Sequence, residues 1–355
     1  MITINSNKGL YSVNFSKSLS DSLQRIYSDD QDFFFLVDQK ILDLYGDVIF
    51  RIIENKNNVI SVIANENNKS YENVGSIINN FIELGIKKRN QLVVIGGGVT
   101  QDIGCFIASI LFRGIDWVYI PTTLLSQCDS CIGSKSSINT KKYKNQIGTF
   151  YPPQKIFIST DVLSTLTEDD IRSGLGEAFK LHLLSSEDDF VVLANELTNS
   201  MHDSSFSEII NRCLNIKKRY IEADEFDKGI RNILNYGHTF GHAYESATNY
   251  LIPHGIAVTL GVVSATFVSE KIGWVDKEHY DRIKVLLKKY YTPYQNHIKE
   301  INPDIILNMM KKDKKNSNEK ISFILTKGFG KMEKNDTLDL KFVKNVLSEL
   351  INSFD

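Results

Sequence analysis

Short apolar runs alternate with amphipathic segments along the first half of the chain. Four of these runs predict buried strands, at residues 33–37, 59–63, 92–95 and 117–120. Helical periodicity predicts helices near residues 41–45, over residues 71–84 and from Thr100 onward. This alternation is typical of parallel β–α–β units.

The pattern changes at about Thr167. Beyond this residue, segment after segment has helical period, and only residues 321–325 retain a strand signal. A chain of 355 residues is also long for a single hydrophobic core, so two domains are expected. We therefore predict an α/β domain over residues 1–167 and a mostly helical domain over residues 168–355.

The composition is that of an ordinary globular protein. Hydrophobic residues make up 42% and charged residues 24%, and a net charge of −2 gives no electrostatic case for binding nucleic acid or a membrane. Of the four cysteines, Cys128 and Cys131 form a lone C-x-x-C pair, so we interpret all four as buried thiols rather than zinc ligands. Few cysteines and no recognisable signal peptide predict a cytoplasmic location.

Three of the seven histidines lie in one short stretch of the second half. His238 and His242 are four residues apart, which places both imidazoles on one helix face, and His254 follows soon after. Converging imidazoles suit a metal site or proton transfer, whereas the simpler interpretation is two surface histidines and a loop histidine. Arg231 and Asn235 continue the spacing, so we predict that one helix carries both of them with His238 and His242 along a single stripe.

Two polar motifs follow predicted strands of the first domain. The glycines at residues 96–98 let the backbone approach a phosphate at the start of the next helix, although a tight turn is the alternative. Asp102, in the first helical turn, would complement the helix dipole or bind a cofactor group. Residues 121–129 follow the fourth strand, at the edge where an open α/β sheet presents its ligand crevice.

Several polar and charged residues could bind a ligand or could simply lie on the surface. Lys135, Lys144 and Asn145 lie in a predicted Gly/Ser-rich loop. Glu177 and Lys180 are three residues apart and share a helix face, where a surface ion pair is the simpler reading. The spacing of these residues does not distinguish a binding site from a solvent-exposed surface.

Taken together, the motifs resemble those of dehydroquinate synthase and the wider sugar-phosphate cyclase family. The similarity extends from about Val37 to Lys327, with seven motifs in family order: Gly-Gly-Gly-Val-x-x-Asp, Arg113-Gly, Pro-Thr-Thr-Leu-Leu-Ser-Gln-x-Asp-Ser, Lys144-Asn145-x-Ile-Gly, Ser-Gly-Leu-x-Glu-x-x-Lys, Leu-Asn-x-Gly-His-Thr-x-Gly-His and Asp313-Lys314-Lys315. The resemblance implies a dehydroquinate synthase-like fold, with an α/β, Rossmann-like N-terminal domain that binds NAD and an all-α C-terminal domain. It also implies a homodimer and a zinc ion, which cobalt can replace.

The resemblance implies that the substrate is 3-deoxy-D-arabino-heptulosonate 7-phosphate and that the product is 3-dehydroquinate. This carbon–oxygen lyase reaction belongs to the shikimate pathway of aromatic amino acid biosynthesis. NAD takes a hydride from the metal-bound substrate, phosphate leaves by β-elimination, and NADH returns the hydride. The ring then opens, and an internal aldol reaction closes the carbocycle.

The resemblance also implies a role for each matching residue. The metal ligands are Glu177, His238 and His254, which leaves His242 for proton transfer. The other implied catalytic residues are Asp227, Lys180 and Lys135. The implied substrate contacts are Asp129, Lys144, Asn145, Lys217, Asn235 and Lys314, with Arg231 as the carboxylate clamp and Arg113 reaching the phosphate from the partner subunit. The implied NAD contacts are Asp38, Glu66, Lys69, Gly97, Gly98, Val99, Asp102, Thr122, Thr123, Asp129, Lys144 and Thr165.

Four positions depart from the family pattern. Asp227 and Ile256 stand where glutamate is usual, and Gln101 and Ser134 stand where glycine is usual. Loss of the carboxylate beside His254 is expected to alter metal affinity. These departures leave open a sister cyclase that acts on an amino-substituted or related sugar phosphate. A metal-dependent polyol dehydrogenase, which would accumulate NADH, and a non-catalytic binding protein are further alternatives.

Overall fold

The computed structural model describes residues 1–27, 32–141, 143–199, 206–312 and 321–354. Its contacts divide the chain into two compact units. Unit 1 consists of Met1–Leu166 and Ile221–Phe226, and unit 2 consists of Thr167–Tyr220 and Asp227–Asp355. The hydrophobic pattern gave no indication that Ile221–Phe226 belongs with the first unit.

Unit 1 is built around a mostly parallel sheet. Its strands are β1 (Ile2–Ser6), β2 (Gly9–Phe15), β3 (Phe33–Asp38), β4 (Val59–Val62), β5 (Gln91–Gly96), β6 (Trp117–Pro121), β7 (Ile138–Thr140), β8 (Tyr143–Ile147) and β9 (Lys155–Ile158). Within the described residues, seven of them form one sheet in the order β1-β2-β9-β6-β5-β3-β4. All neighbours in this sheet are parallel except β1 and β2, which are antiparallel.

The four predicted strands are β3, β4, β5 and β6, which confirms the parallel β–α–β interpretation. The apolar runs of β3, β5 and β6 are continuous because β5 and β6 are buried throughout and β3 nearly so, as expected for strands covered on both faces. Strands β7 and β8 form a separate antiparallel pair. The loop predicted for Lys144 and Asn145 is therefore wrong, since both residues lie in β8.

The described part of unit 1 contains the α-helices α1 (Leu19–Tyr27), α2 (Gln39–Ile52), α3 (Tyr71–Glu83) and α4 (Gly98–Ile110). Side chains cap three of them, since Ser18, Asp38 and Ser70 each accept a backbone hydrogen bond at the start of α1, α2 and α3 respectively. The helices predicted near residues 41–45, over 71–84 and from Thr100 correspond to α2, α3 and α4.

Unit 2 is mostly helical. Its helices are α5 (Glu168–Ser185), α6 (Glu187–Asn199), α7 (Phe206–Ala223), α8 (His238–Ala247), α9 (His254–Lys271), α10 (Lys277–Tyr291), α11 (Gln295–Lys299), α12 (Pro303–Lys312) and α13 (Leu340–Asn352). Strands β10 (Phe323–Thr326) and β11 (Met332–Asn335) form an antiparallel hairpin. The predicted mostly helical C-terminal part is confirmed, and the strand signal at residues 321–325 marks β10 of this small hairpin.

Helix α9 is the centre of unit 2, because α5, α8 and α10 all pack against it. Its residues are buried without interruption from Gly255 to Ser269, as expected for a helix surrounded by other elements. The backbones of α5 and α9 touch: a β-carbon at Gly255 would lie 1.8 Å from the carbonyl oxygen of Ser173. This contact brings the first turn of α9 against the middle of α5. Among the residues that the structure describes, no helix is long and apolar enough to cross a membrane.

Candidate active site

Three imidazoles converge in unit 2. Ring nitrogens of His238, His242 and His254 lie within 4.8 Å of one another and form a candidate metal-binding group in the described part of the chain. Helix α8 begins at His238 and presents His242 one turn later, while α9 begins at His254. The three histidines are therefore not unrelated surface residues.

The single helical stripe predicted from Arg231 to His242 is wrong. Ile230–Asn235 forms a separate 3-10 helix, and Gly237 adopts a left-handed conformation, with φ of 79°, before α8 begins. A β-carbon at Gly237 would lie 2.8 Å from the backbone nitrogen of Val262, so the packing of α9 leaves no room for a side chain there. Arg231 consequently lies on a different element from His242.

A buried carboxylate faces two of the imidazoles. Oε1 of Glu177 lies 3.5 Å from Nε2 of His238 and 3.2 Å from Nε2 of His254. Oε2 of Glu177 forms a 2.5 Å ion pair with Nζ of Lys180, and the two side chains are only 1% and 2% exposed. This pair is not the surface ion pair that spacing alone suggests, because both charges are removed from water.

The charges around Glu177 favour its ionised form. Burial by itself raises the pKa of Glu177, but the charge of Lys180 and the hydrogen bonds from His238 and His254 outweigh burial and hold this pKa well below its ordinary value. Burial lowers the pKa of His238 to about 4, so its imidazole is neutral near pH 7. A carboxylate beside imidazole nitrogens is a donor set that borderline divalent cations such as Zn²⁺ and Co²⁺ prefer.

The two imidazoles that face this carboxylate are also held at their other ring nitrogen. Nδ1 of His238 lies 3.3 Å from the carbonyl oxygen of Tyr236, and Nδ1 of His254 lies 3.0 Å from Oε2 of Glu245. Burial opposes protonation of His254, but its two carboxylate neighbours raise its pKa to about 10. Sequence reasoning missed Glu245, although its position three residues after His242 on one helix is a usable signal.

The remaining predicted residues of unit 2 lie on several elements. Lys217 lies in α7 and Arg231 in the 3-10 helix, and both side chains are buried. Neither is an ordinary surface charge, because a buried cation requires compensating partners. Asp227 has a left-handed backbone, with φ of 57°, and Asn235 donates to a main-chain carbonyl. Lys314 lies outside the described residues.

The start of α4 forms a backbone cradle in unit 1. The helix begins at Gly98, and its N-cap is Gly97, which offers no side chain to the first N–H groups. A β-carbon at Gly97 would lie 2.9 Å from Cγ2 of Thr123, so a larger residue does not fit without rearrangement. The neighbouring Thr122 donates its N–H to the carbonyl of Gly96. Free first-turn N–H groups and the helix dipole favour a phosphate at this position.

A polar network surrounds Asp102. Nζ of Lys69 lies 3.0 Å from Oδ2 of Asp102 and 3.4 Å from Oε1 of Glu66. The N–H of Ser137 donates to Oδ1 of Asp102 at 2.9 Å, and Oγ of Ser137 lies 2.9 Å from Oδ1 of Asn145. The structure thus joins four of the predicted residues, whereas Ser137 was missed. Asp102 is not in the first turn of α4, so its predicted complementarity to the helix dipole is wrong.

Other predicted residues of unit 1 lie at separate positions. Asp38 caps α2, and the hydroxyl of Thr165 donates to the carbonyl of Val162. Arg113 is exposed and has a left-handed backbone, with φ of 62°. Val99 lies in the first turn of α4, and Asp129 lies in a π-helical turn at Ser126–Ser130. Nζ of Lys135 lies 6.0 Å from the ring centroid of Phe150.

Comparisons with known proteins agree with this architecture. A family model described as 3-dehydroquinate synthase N-terminal matches residues 59–173, and one described as 3-dehydroquinate synthase C-terminal matches residues 174–316. The 3-dehydroquinate synthase of Alkaliphilus metalliredigens is 34% identical over 334 residues, which cover 93% of each chain.

Two solved structures share the fold at lower identity. A 2-deoxy-scyllo-inosose synthase complexed with carbaglucose-6-phosphate, NAD⁺ and Co²⁺ has a TM-score of 0.86 at 24% identity and covers 98% of this chain and 99% of its own. The 2-epi-5-epi-valiolone synthase of Streptomyces hygroscopicus, with NAD⁺ and Zn²⁺ bound, has a TM-score of 0.84 at 20% identity and covers 96% and 97%. The two family matches together cover well over half of the sequence, and the chain therefore belongs to the 3-dehydroquinate synthase family.

Proposed function

We propose that this chain is an NAD- and zinc-dependent sugar-phosphate cyclase that converts 3-deoxy-D-arabino-heptulosonate 7-phosphate into 3-dehydroquinate and phosphate. The observation that carries the proposal is the buried carboxylate of Glu177, which faces Nε2 of both His238 and His254. Membership of the 3-dehydroquinate synthase family supports the same activity. The reaction is a carbon–oxygen lyase step of the shikimate pathway, and we propose that the enzyme is cytoplasmic.

The donor set in unit 2 fits a divalent cation. Glu177, His238 and His254 would hold it, with zinc as the proposed metal and cobalt as an alternative that suits the same ligands. When bound, the cation would polarise substrate oxygens as a Lewis acid and leave positions open for them. Lys180 keeps Glu177 ionised, and His242 remains beside the ligands, with its ring centroid 5.3 Å from that of His238. We assign His242 to proton transfer, because its imidazole is not needed as a ligand.

The cradle in unit 1 fits a dinucleotide. Gly97 and Gly98 leave the start of α4 open to a phosphate, which the N–H groups there would bind. NAD, when bound, would accept a hydride from the substrate and return it later, so it is not consumed. The proposed contacts to the cofactor are those implied by the family motifs: Asp38, Glu66, Lys69, Val99, Asp102, Thr122, Thr123, Asp129, Lys144 and Thr165.

The proposed substrate contacts select an acidic sugar phosphate. Arg231 is buried, and its planar guanidinium suits bidentate binding of the substrate carboxylate. Arg113 is exposed, and we propose that it reaches the phosphate from the partner subunit of a homodimer. The further proposed contacts are Asp129, Lys135, Lys144, Asn145, Lys180, Lys217, Asp227, Asn235 and Lys314.

The test is turnover with the proposed substrate. We expect the purified protein, supplied with zinc and NAD, to release phosphate and form 3-dehydroquinate in equal amounts without net accumulation of NADH. Sustained NADH accumulation would indicate a polyol dehydrogenase instead. No turnover in a protein that retains both zinc and NAD would reject this substrate. Turnover of a sugar phosphate without a carboxylate would then assign the chain to a sister cyclase.

A further inference from the structure

The carboxylate of Glu245 lies behind one of the proposed metal ligands. Its Oε2 is 3.0 Å from Nδ1 of His254, while Nε2 of the same ring is 3.2 Å from Oε1 of Glu177. The Glu245 side chain is 14% exposed and that of His254 is 36% exposed, so the contact is partly shielded from solvent and from salt. The imidazole of His254 is thus held between two carboxylates, one at each nitrogen.

The contact fixes which nitrogen of His254 carries a proton. An ionised carboxylate only accepts hydrogen bonds, so Nδ1 of His254 must be the donor to Glu245. A divalent cation binds only the neutral ring, and with its one proton held on Nδ1 that ring presents the lone pair of Nε2 to the cation. That nitrogen is the one that faces Glu177.

His238 has the same arrangement with a weaker partner. Its Nδ1 lies 3.3 Å from the carbonyl oxygen of Tyr236, and its Nε2 faces Glu177 at 3.5 Å. Both imidazoles therefore direct Nε2 to one side and have an acceptor at Nδ1. A main-chain carbonyl serves one ring and a charged carboxylate serves the other, which makes the second ring the more basic ligand.

The family-typical carboxylate after His254 is not present in this chain. Ile256 occupies that position and is fully buried, so it offers no polar group to the ring. Glu245 approaches the ring from α8 instead, and α8 packs directly on α9. His254 therefore has a carboxylate neighbour from α8 although Ile256 provides none, and the predicted effect of Ile256 on metal affinity stays a prediction.

We propose that Glu245 is a positioning residue that fixes the tautomer and orientation of His254 for a divalent cation. This inference rests on the proposed function, because it takes His254 as a metal ligand. Outer carboxylates of this kind change metal affinity by about 10- to 100-fold when they are removed. Glu245 does not touch the cation itself in this account, so its loss should weaken the site without abolishing it.

The test compares metal affinity in Glu245→Gln and in a matched control, Glu270→Gln. Both changes remove one negative charge, and Glu270 lies near the far end of α9 beside Lys271. We expect the dissociation constants for Zn²⁺ and Co²⁺, measured by competition with a chromogenic chelator, to rise about 10- to 100-fold in Glu245→Gln and to stay unchanged in Glu270→Gln. The visible absorption spectrum of the Co²⁺-loaded protein should also change only in Glu245→Gln.

Metal binding by the unmodified protein distinguishes a failure of the proposed function from a failure of the role of Glu245. A protein that binds neither metal would contradict the proposed function, whereas a protein that binds both with equal strength before and after Glu245→Gln would overturn only the role of Glu245. If Glu245→Gln does not fold, Glu245→Asp replaces it, because aspartate keeps the charge at a shorter reach. An unaltered affinity and Co²⁺ spectrum in that folded variant would equally overturn the role.

Discussion

The contact between α5 and α9 can be tested by adding one methyl group. In Gly255→Ala, the new β-carbon would lie 1.8 Å from the carbonyl oxygen of Ser173 and 2.5 Å from its carbonyl carbon. Ordinary contact between such atoms is about 3.5 Å, so the two backbones must separate by roughly 1.7 Å. Both atoms belong to main chain, which cannot rotate away as a flexible side chain does.

This separation should affect stability and the site together. Overpacking typically costs about 1–3 kcal/mol, which we expect to lower the apparent Tm by several degrees. His254 precedes the substituted glycine, and Glu177 lies one turn beyond Ser173 on α5. A displacement of about 1 Å in a catalytic arrangement can cost about 100-fold in rate, so we expect kcat/KM to fall by that order.

The matched control is Gly75→Ala in the middle of α3. A β-carbon at Gly75 has no neighbour within 4 Å, and alanine is favoured over glycine in a helix by about 0.5–1 kcal/mol. Differential scanning fluorimetry with and without zinc, followed by phosphate-release kinetics, should show the two substitutions moving Tm in opposite directions. An unaltered Tm and zinc response in Gly255→Ala would refute the close packing of α5 and α9.

Three further predictions concern charged groups. Lys180→Met should lower the free energy of unfolding of unit 2 by about 3–5 kcal/mol, because it leaves the buried Glu177 carboxylate without its cation. Denaturant titrations without metal would measure this loss, and a value below about 1 kcal/mol would contradict the pairing. Arg231→Ala should reduce kcat/KM for the carboxylate-bearing substrate by at least about 100-fold, and an unchanged value in steady-state kinetics would remove its role as the clamp. Mixed dimers of inactive Arg113→Ala and inactive His242→Ala chains should regain activity if Arg113 acts in the partner subunit, whereas no recovery after verified subunit exchange would place Arg113 outside the partner's site.

Much of the fold could be predicted because buried strands have a strong local signal. The continuous apolar runs of β3, β5 and β6 identify strands that are covered on both faces. Strands β1 and β2 were missed because few of their residues are buried and polar residues separate those that are, so their apolar runs are short. Strand β9 has only four residues and begins with a lysine.

The candidate site was only partly predictable. Spacing on a helix predicted that His238 and His242 would converge, since this relation is local. The approach of Glu177 is not local, because it depends on the glycine-mediated contact of α5 with α9. The break at Gly237 was also missed, since a glycine inside a helical pattern does not reveal a left-handed conformation. Family resemblance supplied the ligand set that spacing left open.

The most direct test of the account is anomalous diffraction from crystals of the zinc-loaded protein, with data collected on both sides of the zinc absorption edge. We predict one strong peak bounded by Oε1 of Glu177, Nε2 of His238 and Nε2 of His254. A peak coordinated by His238, His242 and His254 without Glu177, or an absent peak in crystals soaked with zinc, would contradict it.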